Sequence, residues 1–148
     1  MAYLQASGST TQVITHANTP QRLIIDVEDA ASGIHLNPNE GSAQVEKEGT
    51  YLVITAPQVG RLNDGGVENF RCWLKVGKED VVNSNVLMNL EGHTKDVIVA
   101  QSIVKLSRGD EVSVWMSAST GGDVAVEAIK PMGEPLIPSC IFSMLKIN

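Results

Sequence analysis

The sequence predicts an all-β protein, an antiparallel jelly-roll sandwich of about 8–10 strands, on three observations. Short runs rich in Val, Ile, Thr and aromatic residues recur about every ten residues, with Gly, Asn, Asp or Pro between them. Within these runs apolar and polar residues alternate with period two, the mark of strands with two different faces. No stretch carries a helical period of convincing length. With 148 residues the chain is long enough for one domain whose core needs neither metal nor disulfide.

The elements follow in order. Residues 1–21 are rich in Ser, Thr, Gln and Ala, with only Val13 and Ile14 to bury, and read as a polar N-terminal arm ahead of a jelly-roll domain over 22–148. RLIIDVED from Arg22 reads as a strand, Ile34-His35-Leu36 as a short extended piece closed by Asn37-Pro38-Asn39-Glu40-Gly41, and residues 43–46 as a brief alternating strand. Residues 50–56 form a strand that Pro57 ends or edges. A loop with Asn63-Asp64-Gly65-Gly66 leads into residues 68–76, where Phe70, Cys72, Leu74 and Val76 share the core side and Arg71, Trp73 and Lys75 the other.

The less regular segment VVNSNVLMNLEGHTKD from Val81 reads as a strand followed by a loop. The clearest pair of strands spans 97–117, two Val- and Ile-rich runs around Leu106-Ser107-Arg108-Gly109-Asp110, read as a hairpin. Val112, Val114 and Met116 point to the core. Trp115 lies on the opposite face among small polar residues, and that face is expected to meet a further surface. Gly121-Gly122-Asp123 turns the chain into a strand over 124–129, Pro131–Pro135 loops, and residues 139–147 end it as a strand apolar on both faces.

Composition narrows the partners. The net charge is -6, and Lys and Arg are scattered, so no basic stripe is available for nucleic acid or an anionic membrane. Apolar runs fall far short of a bilayer span, and MAYLQASGST lacks the basic start and apolar middle of a secretory signal, so no signal peptide is expected. Only Cys72 and Cys140 are present, too few for a disulfide framework or a zinc set. His16, His35 and His93 lie far apart with no metal-ligand spacing and read as surface or loop histidines.

The order and spacing of Gly49-Thr50-Tyr51, WLKVGK from Trp73, Leu106-Ser107-Arg108-Gly109-Asp110-Glu111-Val112 and Phe142-Ser143-Met144-Leu145 resemble the jelly-roll superfamily of the complement C1q globular head and the tumour necrosis factor cytokines, over residues 22–148. WLKVGKEDVVNSNV also resembles versions of this fold encoded by bacteriophages and bacteria. No collagen stalk of the complement type and no signal or anchor of the secreted-cytokine type is expected from these residues. The resemblance implies a compact homotrimer around a three-fold axis. The alternation agrees: Tyr51, Val53, Phe142, Met144, Val112 and Val114 point inward, which leaves Leu52, Ile54, Ile141, Leu145 and Trp115 as a second apolar face for the trimer interface. The alternative is that these residues pack under the N-terminal arm of their own subunit.

Arg108-Gly109-Asp110 spells an integrin-binding tripeptide, but Gly109-Asp110 also suits the strand-opening turn of this fold, and three letters carry little information. No nucleophile elbow, Cys–His signature or phosphate-cradling loop supports a catalytic site, so the chain reads as non-enzymatic without a cofactor. Calcium, which some relatives bind in loops, would draw on Asp64, Glu68, Asp80 or Asp123, although no twelve-residue loop pattern is present. Cys72 and Cys140 share the inward phase, either as buried free thiols or as a pair across the sandwich.

Two functional expectations result. The first is a virion structural protein assembled in the host cytoplasm, a trimeric bacteriophage capsid decoration or cement protein whose partners are its own copies and the major capsid protein. Three modest contacts bound at once hold far more tightly than one. The alternative is a receptor- or glycan-binding module of a phage fibre or bacterial surface, using loops around Asn63, Asp64, Asn83, Asn85 and Asp123.

Overall fold

The computed structural model describes residues 1–148 and contains strands but no helix. In chain order the strands are β1 (Tyr3–Gly8), β2 (Gln12–Val13), β3 (Gln21–Leu23), β4 (Val27–Ser32), β5 (Ile34–Asn37), β6 (Ser42–Val45), β7 (Gly49–Arg61) and β8 (Val67–Val76). They continue with β9 (Glu79–Asp80), β10 (Val86–Glu91), β11 (Asp96–Val97), β12 (Ala100–Leu106), β13 (Glu111–Ala118), β14 (Val124–Val126) and β15 (Cys140–Lys146). Ten of these have four or more residues, in keeping with the sequence expectation, and five are short additions.

All pairings are antiparallel and build two sheets. The first runs β4-β1-β15-β7, with β12 on the early half of β7 and β14, β2 and β11 attached further along. The second runs β10-β8-β13-β6-β5, with β3 beside β13 and β9 beside β8. Between them lies one core in which Tyr51, Phe70 and Phe142 are the largest fully buried side chains, joined by Leu4, Leu23, Ile25, Leu74, Met116 and Met144. Each such apolar side chain removed from water contributes about 1.5–3 kcal/mol. Tyr51 keeps its hydroxyl satisfied by donating to the Lys47 carbonyl at 2.8 Å.

The predicted N-terminal arm is not one. β1 lies inside the first sheet, paired to β15 from Tyr3–Leu145 to Gly8–Cys140 and to β4 on its other side. Leu4 and Ala6 are buried in the core. A boundary at residue 22 therefore cuts through a single folded unit.

The predicted hairpin over 97–117 is also revised. β12 pairs with β7, whereas β13 pairs with β8, so the turn between them carries the chain from one sheet to the other. RLIIDVED divides into β3 and β4, with Ile25 buried at the break. Pro57 does not end β7. Its missing N–H falls between the β12 pairing, which stops at Thr55, and the β11 pairing, which starts at Gln58, while its carbonyl still accepts from Ile98.

Candidate functional site

The outward face of the first sheet carries two apolar rows. In one, Tyr3 of β1 stands opposite Leu145 of β15, Leu145 opposite Leu52 of β7, and Leu52 opposite Ile103 of β12. In the other, Val27, Ser7, Ile141 and Ala56 follow one another across β4, β1, β15 and β7. The row between them holds Gln5, Ser143, Ile54 and Gln101, and the Ser143 hydroxyl donates to Gln5 Oε1. Tyr3 is 42% exposed, Leu145 38%, Ile141 43% and Ile103 64%, so the face is open in the single chain.

Four of the five predicted interface residues, Leu52, Ile54, Ile141 and Leu145, share this face. Trp115 does not. It stands on β13 in the other sheet, pointing away from the core, opposite Trp73 on β8 and Arg22 on β3. Its ring is covered from within the chain by Lys75 Nζ at 4.4 Å and Arg22 Cζ at 5.2 Å from the centroid. Alternation revealed that Trp115 points outward, but not from which sheet. Sequence reasoning missed Tyr3, Val27 and Ile103; the alternation of Tyr3, Gln5 and Ser7 against Leu4 and Ala6 was the available signal for β1.

Beside Trp73 the second sheet has a groove of about 340 Å³ lined by Trp73, Asp80, Val81, Val82, Asn83 and Asn85. Trp73 Nε1 donates to Asp80 Oδ1 at 2.8 Å, and Lys75 Nζ lies 3.7 Å from the same oxygen. The loop after β9 is pinned to β8 at two points. The Val81 N–H donates to the Leu74 carbonyl at 2.9 Å, and buried Ser84 accepts from the Leu74 N–H at 3.1 Å while donating to the Val81 carbonyl at 2.8 Å. Asn83 takes a left-handed backbone, φ 64°, which Asn tolerates better than most residues.

The predicted ligand loops do not converge. Asn83 and Asn85 belong to that groove, while Asn63, Asp64 and Asp123 lie at the other end of β8. Asp123 is not a free ligand: it is buried, Arg61 donates to its Oδ2 from Nε at 3.0 Å and Nη2 at 2.8 Å, and the Asn63 N–H donates to Oδ1 at 2.9 Å. Burial alone would raise its carboxyl pKa, but the Arg61 and backbone hydrogen bonds and the Arg61 charge outweigh it and hold the value below the usual range. Arg61 also donates to the carbonyls of Gly65 and Gly66 at 2.6 and 2.7 Å, clamping the loop.

The four carboxylates considered for calcium are dispersed over separate partners: Asp64 near His93, Glu68 on Ser119, Asp80 on Trp73 and Asp123 on Arg61. No group of three or more His, Cys, Asp or Glu side chains is placed to hold a metal ion. Arg108-Gly109-Asp110 forms the turn between β12 and β13. Asp110 Oδ2 accepts from the Ser107 N–H at 2.8 Å, Gly109 has φ 88°, and its N–H donates to the Val45 carbonyl. Cys72 and Cys140 are buried free thiols. Burial pushes both upward, Cys140 to about 11 despite hydrogen bonds from Thr55 and Ala56 that pull the other way.

No family model and no curated protein matches the sequence. Solved structures do. A tumour necrosis factor of S. frugiperda, Eiger, superposes with a TM-score of 0.61 at 13% identity, covering 99% of this chain and 92% of that one. Murine APRIL at pH 5.0 gives 0.64 at 9% identity, covering 99% and 98%. The globular domain of zebrafish complement 1qA gives 0.59 at 10% identity, covering 100% and 98%. The chain thus has the jelly-roll fold common to tumour necrosis factor ligands and the C1q globular head.

Proposed function

We propose that the chain is a non-enzymatic structural module that assembles as a homotrimer and serves as a decoration protein on a bacteriophage capsid, with the major capsid protein as its partner and the virion as its location. The observation that carries the assembly is the apolar row Tyr3-Leu145-Leu52-Ile103, with Val27, Ile141 and Ala56 flanking Ser7 in a second row, on one open sheet face. Removing such a face from water against other copies is the favourable term for an obligate interface. The step to a shell rests on the resemblance to phage-encoded versions of the fold and on the avidity of a three-fold contact.

A non-catalytic role is consistent with the side chains available. The thiols are buried and held protonated, and Glu68, Asp80 and Asp123 are each engaged with a separate partner. Light scattering coupled to size exclusion tests the assembly, with an expected mass about three times the 15.8 kDa of one chain. Leu145→Glu, at a position already open to solvent, is expected to give a folded monomer. A monomeric parent ends the trimer reading. Copurification with intact shells in hundreds of copies supports decoration, and a few copies at the tail point instead to a fibre.

A further inference from the structure

The two sheets carry different surfaces, and the groove beside Trp73 lies on the sheet opposite the apolar rows. We propose that this groove is a carbohydrate site that takes a neutral hexopyranose residue. The inference does not depend on the trimer, since the groove stays open whether or not the other sheet is covered.

Three features converge. The first is an indole set at a fixed angle: its Nε1–H is tied to Asp80 Oδ1, and its strand neighbour across the ladder is Trp115, itself held by Arg22 and Lys75. An indole ring offers a flat apolar face to the C–H side of a sugar ring. The second is polar capacity left unused inside the chain. Asp80 spends only Oδ1 on Trp73 and Lys75, leaving Oδ2 as an acceptor, and the amides of Asn83 and Asn85 take no part in the hydrogen bonds that fix their loop. Two amides and a carboxylate oxygen supply both donors and acceptors, which vicinal hydroxyls require.

The third is rigidity. Ser84, buried between the two asparagines, anchors the loop to β8 by accepting from the Leu74 N–H and ties the loop to itself by donating to the Val81 carbonyl, so the backbone that carries both amides is ordered before binding. Asn83 holds a left-handed φ of 64°, and the adjoining Val82 is 80% exposed, an apolar rim with nothing of this chain against it. A neutral sugar suits the site better than an acidic one, because the acceptor in the groove is itself a carboxylate and the chain carries a net charge of -6. A shallow one-sugar groove binds weakly, with Kd on the order of 1 mM, so function would require several copies or a repeating glycan.

The test is an NMR titration of the intact protein with methyl glycosides of glucose, galactose, mannose and N-acetylglucosamine, and with glucuronate as the charged control. The expected result is a saturable shift of the Trp73 indole N–H with at least one neutral glycoside, little change at Trp115, and a tenfold or greater loss of affinity in the Asn83→Gly/Asn85→Ala variant. Glycine preserves the left-handed backbone at 83, and an unchanged melting temperature verifies that the variant is folded. Absence of saturation with every neutral sugar, a variant that binds as well as the parent, or a preference for glucuronate overturns the proposal. A monomer that still binds the sugar leaves it standing and removes only the trimer.

Discussion

Arg61 and Asp123, 62 residues apart in the chain, meet as a buried pair in which one carboxylate oxygen accepts from both Nε and Nη2 of the guanidinium. They join the end of β7 to the turn before β14 and hold the loop at 62–66 against the sheet. Asp123→Asn leaves the guanidinium without its counter-charge and is expected to cost about 3 kcal/mol at neutral pH. Because the folded pKa of Asp123 is depressed, its contribution is complete above the unfolded carboxylate value of about 3.9 and is lost as pH falls from there through the folded value. Urea midpoints of parent and variant should therefore differ at neutral pH and converge in strong acid. A gap that persists unchanged at about pH 2, well below the unfolded value, would assign the loss to something other than this ionised pair.

Trp115 is covered by its own chain, so its truncation should affect stability and leave assembly alone. Trp115→Ala is expected to lower stability by about 2 kcal/mol through lost burial and cation–π contact, with the mass in solution equal to that of the parent. Combining it with Arg22→Ala in a double-mutant cycle should return a coupling of about 0.5–1 kcal/mol. A change of oligomeric state in Trp115→Ala would put the interface on the second sheet instead of the first.

The contrast between Trp115 and Leu145 indicates which parts of the fold a sequence reveals. Inside a strand the alternation of side chains is local, and it correctly placed Tyr51, Phe70, Val114 and Phe142 in the core and Leu52, Ile54, Ile141 and Leu145 outside it. The identity of a strand's neighbour is non-local. Ser107-Arg108-Gly109-Asp110 has the same turn chemistry whether the chain returns beside itself or crosses to the opposite sheet, and only the pairings of β7 with β12 and β8 with β13 decide between them. β1 was only faintly marked for a related reason: Tyr3, Gln5 and Ser7 alternate with Leu4 and Ala6, but Leu4 and Ala6, with Ala2 nearby, add little apolar surface without β15 and β4 on either side. The groove at Trp73 was half legible, since Asn83 and Asn85 were marked as loop ligands while Trp73 and Asp80 come beside them only through the β8–β9 pairing.

The thiols offer a check on the closed core. Cys72 and Cys140 are both buried, and Cys140 lies 3.0 Å from the Thr55 hydroxyl with its pKa pushed up to about 11. A thiol reacts as the thiolate and needs access, so neither should react with a disulfide reagent in the folded protein near neutral pH. Both should titrate once denaturant is added, and mass under non-reducing denaturing conditions should match that of one chain. Rapid labelling of the native protein would mean that the sandwich opens at β8, if at Cys72, or at β15, if at Cys140, far more readily than its packing implies.

Two glycines separate the cost of backbone geometry from the cost of space. Gly41 and Gly109 both have left-handed backbones, φ 68° and 88°, where a non-glycine residue costs roughly 1–2 kcal/mol. A Cβ at Gly109 would point into open space, so Gly109→Ala should lose only that conformational term. At Gly41 the same atom would lie 2.9 Å from Ile24 Cα and from the Ile25 backbone nitrogen, which cannot swing aside as a side-chain end can. Ile25 is buried where β3 gives way to β4, so moving that backbone also disturbs the core. Gly41→Ala is accordingly expected to be the more damaging by at least about 1 kcal/mol, a cost of the size that forced overpacking carries. Chemical denaturation of the two variants side by side checks this. Equal losses would mean that the segment at 24–25 yields freely and that the close approach of Gly41 does not help to set where β3 ends.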